Sequence, residues 1–260
     1  MTIKDVRDYL DGPFEEIEGW CDPYLWQAVI PLHAAQRALG AAGPVAEIGV
    51  HHGKLLIGLM KATGSAAGNL AIDLFDMQGF NLDKSGEGNL ERLQANLAHC
   101  GYGADAVRFE RADSLALGAI DLPRLRGEGH GGFAFVSVDG GHMVEHAMHD
   151  IRLAMELAMA PGIILIDDFF APQWPGVTEA IARLYLGDRP PFVPLLAGYN
   201  KLLLCHLSHR QHFWDALIGH IRDRLPPVDA KIVMLFGHRT IAIQPDRSLP
   251  PGYNGLPDDA

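Results

Sequence analysis

The segment Pro44-Val45-Ala46-Glu47-Ile48-Gly49-Val50-His51-His52-Gly53 constrains the fold of this chain more than any other. A β-branched apolar run ends in an acid and a glycine, and a second glycine four residues on opens an apolar helix over Leu55 to Met60. An apolar run without polar alternation suits a parallel strand buried on both faces. Strands and helical patterns then alternate along the chain, which predicts a mostly parallel, doubly wound α/β sheet.

The order of elements can be read residue by residue. A helix is expected over roughly Tyr24 to Leu39, ahead of the first strand. The second strand, Leu70 to Leu74, ends at Asp73 and gives way to a polar loop holding Gly79, Gly86 and Gly88. Leu90, Leu93, Leu97 and Cys100 recur at helical spacing. Val107 to Glu110 and Phe133 to Val138 read as the third and fourth strands, the latter running into Asp139-Gly140-Gly141-His142. A helix over about Val144 to Ala158 is expected to stop at Pro161-Gly162, and Ile163 to Ile166 forms a fifth strand ending in Asp167-Asp168. After a helix near Val177 to Leu186, Val193 to Leu196 and Lys201 to Cys205 read as a closing antiparallel pair around Gly198-Tyr199-Asn200. Gln211 to Leu225 then reads as a helix, with a hairpin from Lys231 to Phe236 and Thr240 to Ile243. Residues from about Ser248 are rich in Pro, Gly and Asp and are expected to pack poorly. The expected organisation is one domain: an N-terminal helical region (1–43), a core (44–205) and a C-terminal extension (206–260).

Bulk properties narrow the function. A chain of 260 residues that is 48% hydrophobic can bury one large core. Its 21 basic residues against 32 acidic ones give a net charge of −11, which argues against nucleic acid and for a small-molecule substrate. Cys21, Cys100 and Cys205 are too few and too scattered for a disulfide framework or a C-x-x-C site, so reduced thiols in a cytoplasmic protein are expected. The charged N-terminus lacks the apolar run of a signal peptide, and no uncharged apolar stretch reaches about 18 residues, so no membrane span is expected. The N-terminal helices and the extension could also form the interface of a homo-oligomer.

In a doubly wound sheet, ligands sit beyond the carboxyl ends of the strands. Five successive strands here end in acid or glycine: Glu47 and Gly49, Asp73, Ala112-Asp113-Ser114, Asp139, and Asp167-Asp168. The dinucleotide fingerprint G-x-G-x-x-G fits poorly, because Val50 and His51 stand where its second glycine would admit a pyrophosphate. The acid-x-Gly-x-x-x-Gly loop, with the acids that follow it, resembles the pattern of the class I S-adenosylmethionine (SAM) methyltransferases, whose fold is Rossmann-like. That resemblance implies SAM as cofactor, with Glu47, Gly49 and Gly53 at its methionine end. It places Asp73 at the ribose hydroxyls, and Ala112, Asp113 and Ser114 at the adenine.

A closer resemblance is to the branch holding macrocin- and novobiocin-type sugar O-methyltransferases and cephalosporin-hydroxylase-like proteins. It implies O-methylation of a sugar or other small-metabolite hydroxyl, with Asp139, Asp167 and Asp168 holding a divalent cation. Oxygen-only ligands favour Mg²⁺ or Mn²⁺. Asp139 or His142 would then accept the hydroxyl proton as catalytic residues. Transfer to nitrogen or carbon stays open.

Rival readings share these residues. His142-Met143-Val144-Glu145-His146 matches the zinc motif H-x-x-E-H, although Gly140-Gly141 puts His142 at a helix entry. A nicotinamide-dependent oxidoreductase would use the same first-strand glycines, and a non-catalytic SAM-binding protein would share the fold.

Overall fold

The computed structural model describes residues 3–127, 131–224 and 229–244. The predicted tail from about Ser248 lies outside them. Nine helices alternate with nine strands among these residues. Helices α1 (Ile3–Leu10), α2 (Pro13–Glu16) and α3 (Trp26–Ala38) precede β1 (Val45–Ile48), and α4 (Lys54–Thr63) leads to β2 (Asn69–Asp73). Then come α5 (Leu90–His99), β3 (Val107–Arg111), α6 (Leu122–Arg126), β4 (Phe133–Val138), α7 (Val144–Leu157), β5 (Ala158–Ile166) and α8 (Pro175–Gly187). The hairpin β6 (Phe192–Gly198) and β7 (Lys201–His206), helix α9 (Arg210–Arg224), and the hairpin β8 (Asp229–Leu235) and β9 (His238–Gln244) complete the fold.

One sheet runs β3-β2-β1-β4-β5-β7-β6-β9-β8. The first five of these strands are parallel, and β7 turns antiparallel against β5. The reversal of strand order between β1 and β4 creates the crevice in which α/β sheets bind ligands. Apolar side chains from both faces account for the uninterrupted strands. Leu32, Leu56, Leu93 and Phe213 pack on one face, and Leu125, Ile151 and Ile181 on the other. A mostly parallel α/β sheet with an antiparallel hairpin, N-terminal helices and a C-terminal helix and hairpin is the observed architecture.

Two local departures from the sequence reading have physical causes. The helix expected to run to Pro161-Gly162 ends at Leu157, and β5 already contains that dipeptide. A register jump, Phe133 opposite Ala158 but Phe135 opposite Ile163, bulges Met159–Gly162 out of the ladder, so proline's missing N–H goes uncalled for. Helices α1, α2 and α6 were not legible as patterns; α2 and α6 span only 4 and 5 residues, too short for helical periodicity to show. The expected hairpin forms as read: Tyr199 and Asn200 both take positive φ, 58° and 61°, in a two-residue turn whose twist suits a tight hairpin.

Candidate functional site

A cavity of about 410 Å³ opens at the carboxyl ends of the parallel strands. Gly49, Asp73, Ala112, Asp113, Ser114, Asp139, His142, Asp167 and Asp168, all singled out in the sequence, line it. Glu47 and Gly53 do not.

Glu47 sits in mid-strand, 2% exposed, with Oε2 lacking a hydrogen-bond partner. Burial, then the Asp139 charge, holds its carboxyl well above the usual range. Gly53 caps α4 at φ 86°, and a Cβ there would strike Leu93. Its missing Cβ leaves room for the Leu93 side chain. Gly49, at φ 80°, abuts the backbone of Asp139 and Gly140, which a Cβ would overlap. The glycine thus closes the junction between β1 and β4 as well as facing the cavity. His51 holds φ 52°, a left-handed conformation uncommon for a residue other than glycine, and it lines the cavity.

Asp73 organises the loop above it. Its Oδ2 accepts the backbone N–H groups of Val50 and His51 at 2.7 and 2.9 Å, and Oδ1 accepts that of Phe75 at 2.7 Å. A carboxylate offers about four acceptor sites, so little capacity is left for a diol. Asp113 caps the turn at Leu115, N–H to Oδ1 at 3.0 Å.

The acidic cluster is partly neutralised from within. Asp167 Oδ2 accepts from the Nζ of Lys201, a lysine only 2% exposed. Its Oδ1 takes the Asp168 N–H at 2.8 Å and the Asn200 amide at 3.0 Å, and Asn200 reaches Asp168 Oδ1 at 2.9 Å. His142 Nε2 meets Asp168 Oδ2 at 2.9 Å. Its Nδ1 meets Asp83 Oδ2, also at 2.9 Å, and that oxygen accepts the His142 backbone N–H at 2.8 Å. Trp174 stacks on the ring at 4.1 Å. Asp139 stands apart, with a 4.0 Å approach to His142 Nε2. Burial, and then the charge of Asp167, raises its carboxyl well above the ordinary range.

Asp83, Asn200 and Lys201 were not singled out in the sequence. Asp83 belongs to an irregular loop, Asn200 to the hairpin turn, and Lys201 opens β7, whose apolar run gave no hint of chemistry. The tight turn after Gly198 was the one signal available. The zinc reading loses its geometry, because α7 starts at Val144, which leaves His142 outside the helix and off the face that carries His146.

Burial alone would lower the pKa of His142, but its hydrogen bonds to Asp168 and Asp83 raise it from 6.5 to about 9. It is therefore an imidazolium near neutrality, donating from both nitrogens. A group whose folded pKa is raised contributes its full stabilisation below 6.5, and that contribution fades as pH climbs to about 9. The His142 ring resonances should thus titrate near 9 in a proton NMR series. Urea stability should fall across the same window in the parent, and this slope should flatten in His142→Gln. Titration near 6.5 in the folded protein would show that the carboxylates do not grip the ring.

No helix among the described residues is long and apolar enough to cross a membrane. Residues 46–169 match a family model described as a methyltransferase domain. No curated protein sequence matches the chain. Among solved structures, the chain is similar to the O-methyltransferase NovP at 13% identity and a TM-score of 0.54, over 70% of this chain and 79% of that one. It is similar to the O-methyltransferase from Bacillus cereus in complex with SAH at 13% identity and a TM-score of 0.50, over 78% and 90% of the two chains. Residues 46–169 thus match a methyltransferase domain, and the strand order lies within a fold that this chain shares with the two O-methyltransferase structures.

Proposed function

We propose that this protein moves the methyl group of SAM to a hydroxyl oxygen of a small molecule, with Asp139 as the proton acceptor. One observation carries the reading. Among the cavity's carboxylates beside His142, Asp139 alone makes no hydrogen bond to the described residues, and it is held at a raised pKa where the strand ends. Such a carboxylate is poised to take a proton.

The cavity suits SAM better than a dinucleotide. Six aspartates line it and no lysine or arginine is among its described lining residues, which favours a cationic sulfonium and disfavours a pyrophosphate. Gly49 and the Asp73 loop would flank the cofactor, and Ala112, Asp113 and Ser114 would border its adenine. SAM, when bound, supplies a methyl group on positively charged sulfur and departs as S-adenosylhomocysteine.

The chain's own groups do the rest. The acceptor oxygen takes the methyl, and its proton passes to Asp139. His142 is a poor base, since both nitrogens already donate to carboxylates; it acts instead as a fixed positive charge beside Asp139. Trp174 covers the imidazolium and limits water around it.

A divalent cation held by Asp139, Asp167 and Asp168 does not fit this arrangement. Donor atoms of Asp139, His142 and Asp168 do lie within 4.8 Å of one another. Asp167, however, is committed to the buried Lys201 ammonium, and Asp168 Oδ2 already meets His142 Nε2 at 2.9 Å. Mg²⁺ seeks an octahedral oxygen shell, which a carboxylate pair bridged by an imidazolium does not offer. Proton transfer therefore falls to Asp139 itself.

Calorimetry with S-adenosylhomocysteine and with NAD tests the cofactor assignment. One site for S-adenosylhomocysteine and none for NAD is the expected result, with methyl transfer undiminished in excess chelator. Binding of NAD alone would replace this reading with the oxidoreductase one, and activity abolished by the chelator and restored by Mn²⁺ would return the carboxylates to a metal.

A further inference from the structure

The charge of the cavity is one-sided, and its rim is apolar. Asp73 and Asp113 border the proposed cofactor side, whereas Asp83, Asp139, Asp167 and Asp168 gather on the other. Two internal cations offset part of that second group. His142 sits between Asp83 and Asp168, and Lys201 lies against Asp167. At 2% exposure, Lys201 offers nothing to a ligand. Asp139 is left without a full counter-charge where the acceptor would sit. The chain's net charge of −11 extends the same sign to long range, so an approaching anion meets repulsion before it meets the site.

The mouth tells the same story in apolar terms. Trp20, Phe80, Leu82 and Met143 line it and are 73%, 59%, 62% and 45% exposed. Scattered single apolar residues at a surface are ordinary, but four large ones around one opening mark a place that takes an apolar ligand. Trp20 and Trp174 also present aromatic faces, which attract cations and repel anions.

Building on the methyl-transfer reading, we propose that the acceptor is a non-anionic hydroxyl compound with an apolar body, and that phosphate-, nucleotide- or carboxylate-bearing acceptors are excluded. An anion placed here would shed its hydration and find no lysine or arginine in exchange, and the one imidazolium on the lining, His142, is already held between Asp83 and Asp168. A neutral or cationic compound loses less on entry, and it buries the four rim side chains.

A charge series on one ring tests this. Dopamine, 4-methylcatechol and 3,4-dihydroxybenzoate differ mainly in charge, and their binding to the protein saturated with S-adenosylhomocysteine can be read by calorimetry. Saturation itself is the separate check on the methyl-transfer reading: if S-adenosylhomocysteine does not bind, that reading fails whatever the series shows. The cationic and neutral members should bind, and the anion should bind at least about tenfold more weakly. Gln173 is exposed on the cavity lining and takes no part in the proposed chemistry. Gln173→Arg should therefore close the gap between the anion and the neutral member to within about threefold, leaving S-adenosylhomocysteine binding in place. Equal binding of the anion and the neutral member in the parent protein would overturn the proposal. So would a failure of both the neutral and the cationic members to bind.

Discussion

Asp139→Asn should lower kcat for methyl transfer by about a hundred- to ten-thousandfold while S-adenosylhomocysteine binds within about twofold of the parent. The amide keeps the shape of the carboxyl group and removes its basicity. Cofactor binding is spared because Gly49 touches the main chain of Asp139, which the substitution leaves alone. Stability should not suffer, since the change relieves a crowd of acids instead of breaking a pair. In the parent, burial and the neighbouring Asp167 charge raise the Asp139 pKa, so the rising limb of the kcat–pH profile should lie well above the ordinary carboxylate value of about 4. Activity within tenfold of the parent would move the proton acceptor to another group. A profile rising near pH 4 would mean that Asp139 is solvated during turnover.

Lys201→Met should be the most damaging single change to stability. It strips the ammonium from a buried pair and leaves Asp167 charged and enclosed, a loss of about 3–5 kcal/mol for a lysine that is 2% exposed. Urea unfolding at pH 7 reads this directly. The double variant Lys201→Met, Asp167→Leu removes both charges and should recover most of the loss, because it is the orphaned charge, not the missing bond, that costs most. If the single variant were as stable as the parent, Asp167 would have to be neutralised by some other group, and the partly self-neutralised cluster described above would be wrong.

The strands were legible because burial on both faces writes itself into the chain as β-branched runs, and the acids at their ends followed from strand polarity alone. What a residue faces across the fold is not written in that way. Glu47 and Gly53 carry the right identities for a cofactor loop, yet one is sealed in mid-strand and the other is needed by Leu93. Sequence cannot separate a glycine that admits a ligand from one that admits a neighbouring side chain. Likewise, three acids on adjacent strand ends call for positive charge, and a metal is the local answer. The partners the fold supplies, Lys201 and His142, are 34 and 26 residues away from the carboxylates they meet. Asp83 is more distant still, 59 residues from His142, on a loop whose path no periodicity describes.

The turn at Tyr199-Asn200 carries a consequence for the order of synthesis. As the polypeptide emerges from a ribosome, Asp139, Asp167 and Asp168 appear well before the lysine and the asparagine that satisfy them. Until β7 docks antiparallel on β5, the nascent sheet holds a cluster of like charges with only His142 to offset it. The strand laid against the parallel core after β5 is then the one that makes its acidic floor habitable, and it lies beyond the 46–169 segment that matches the methyltransferase-domain model.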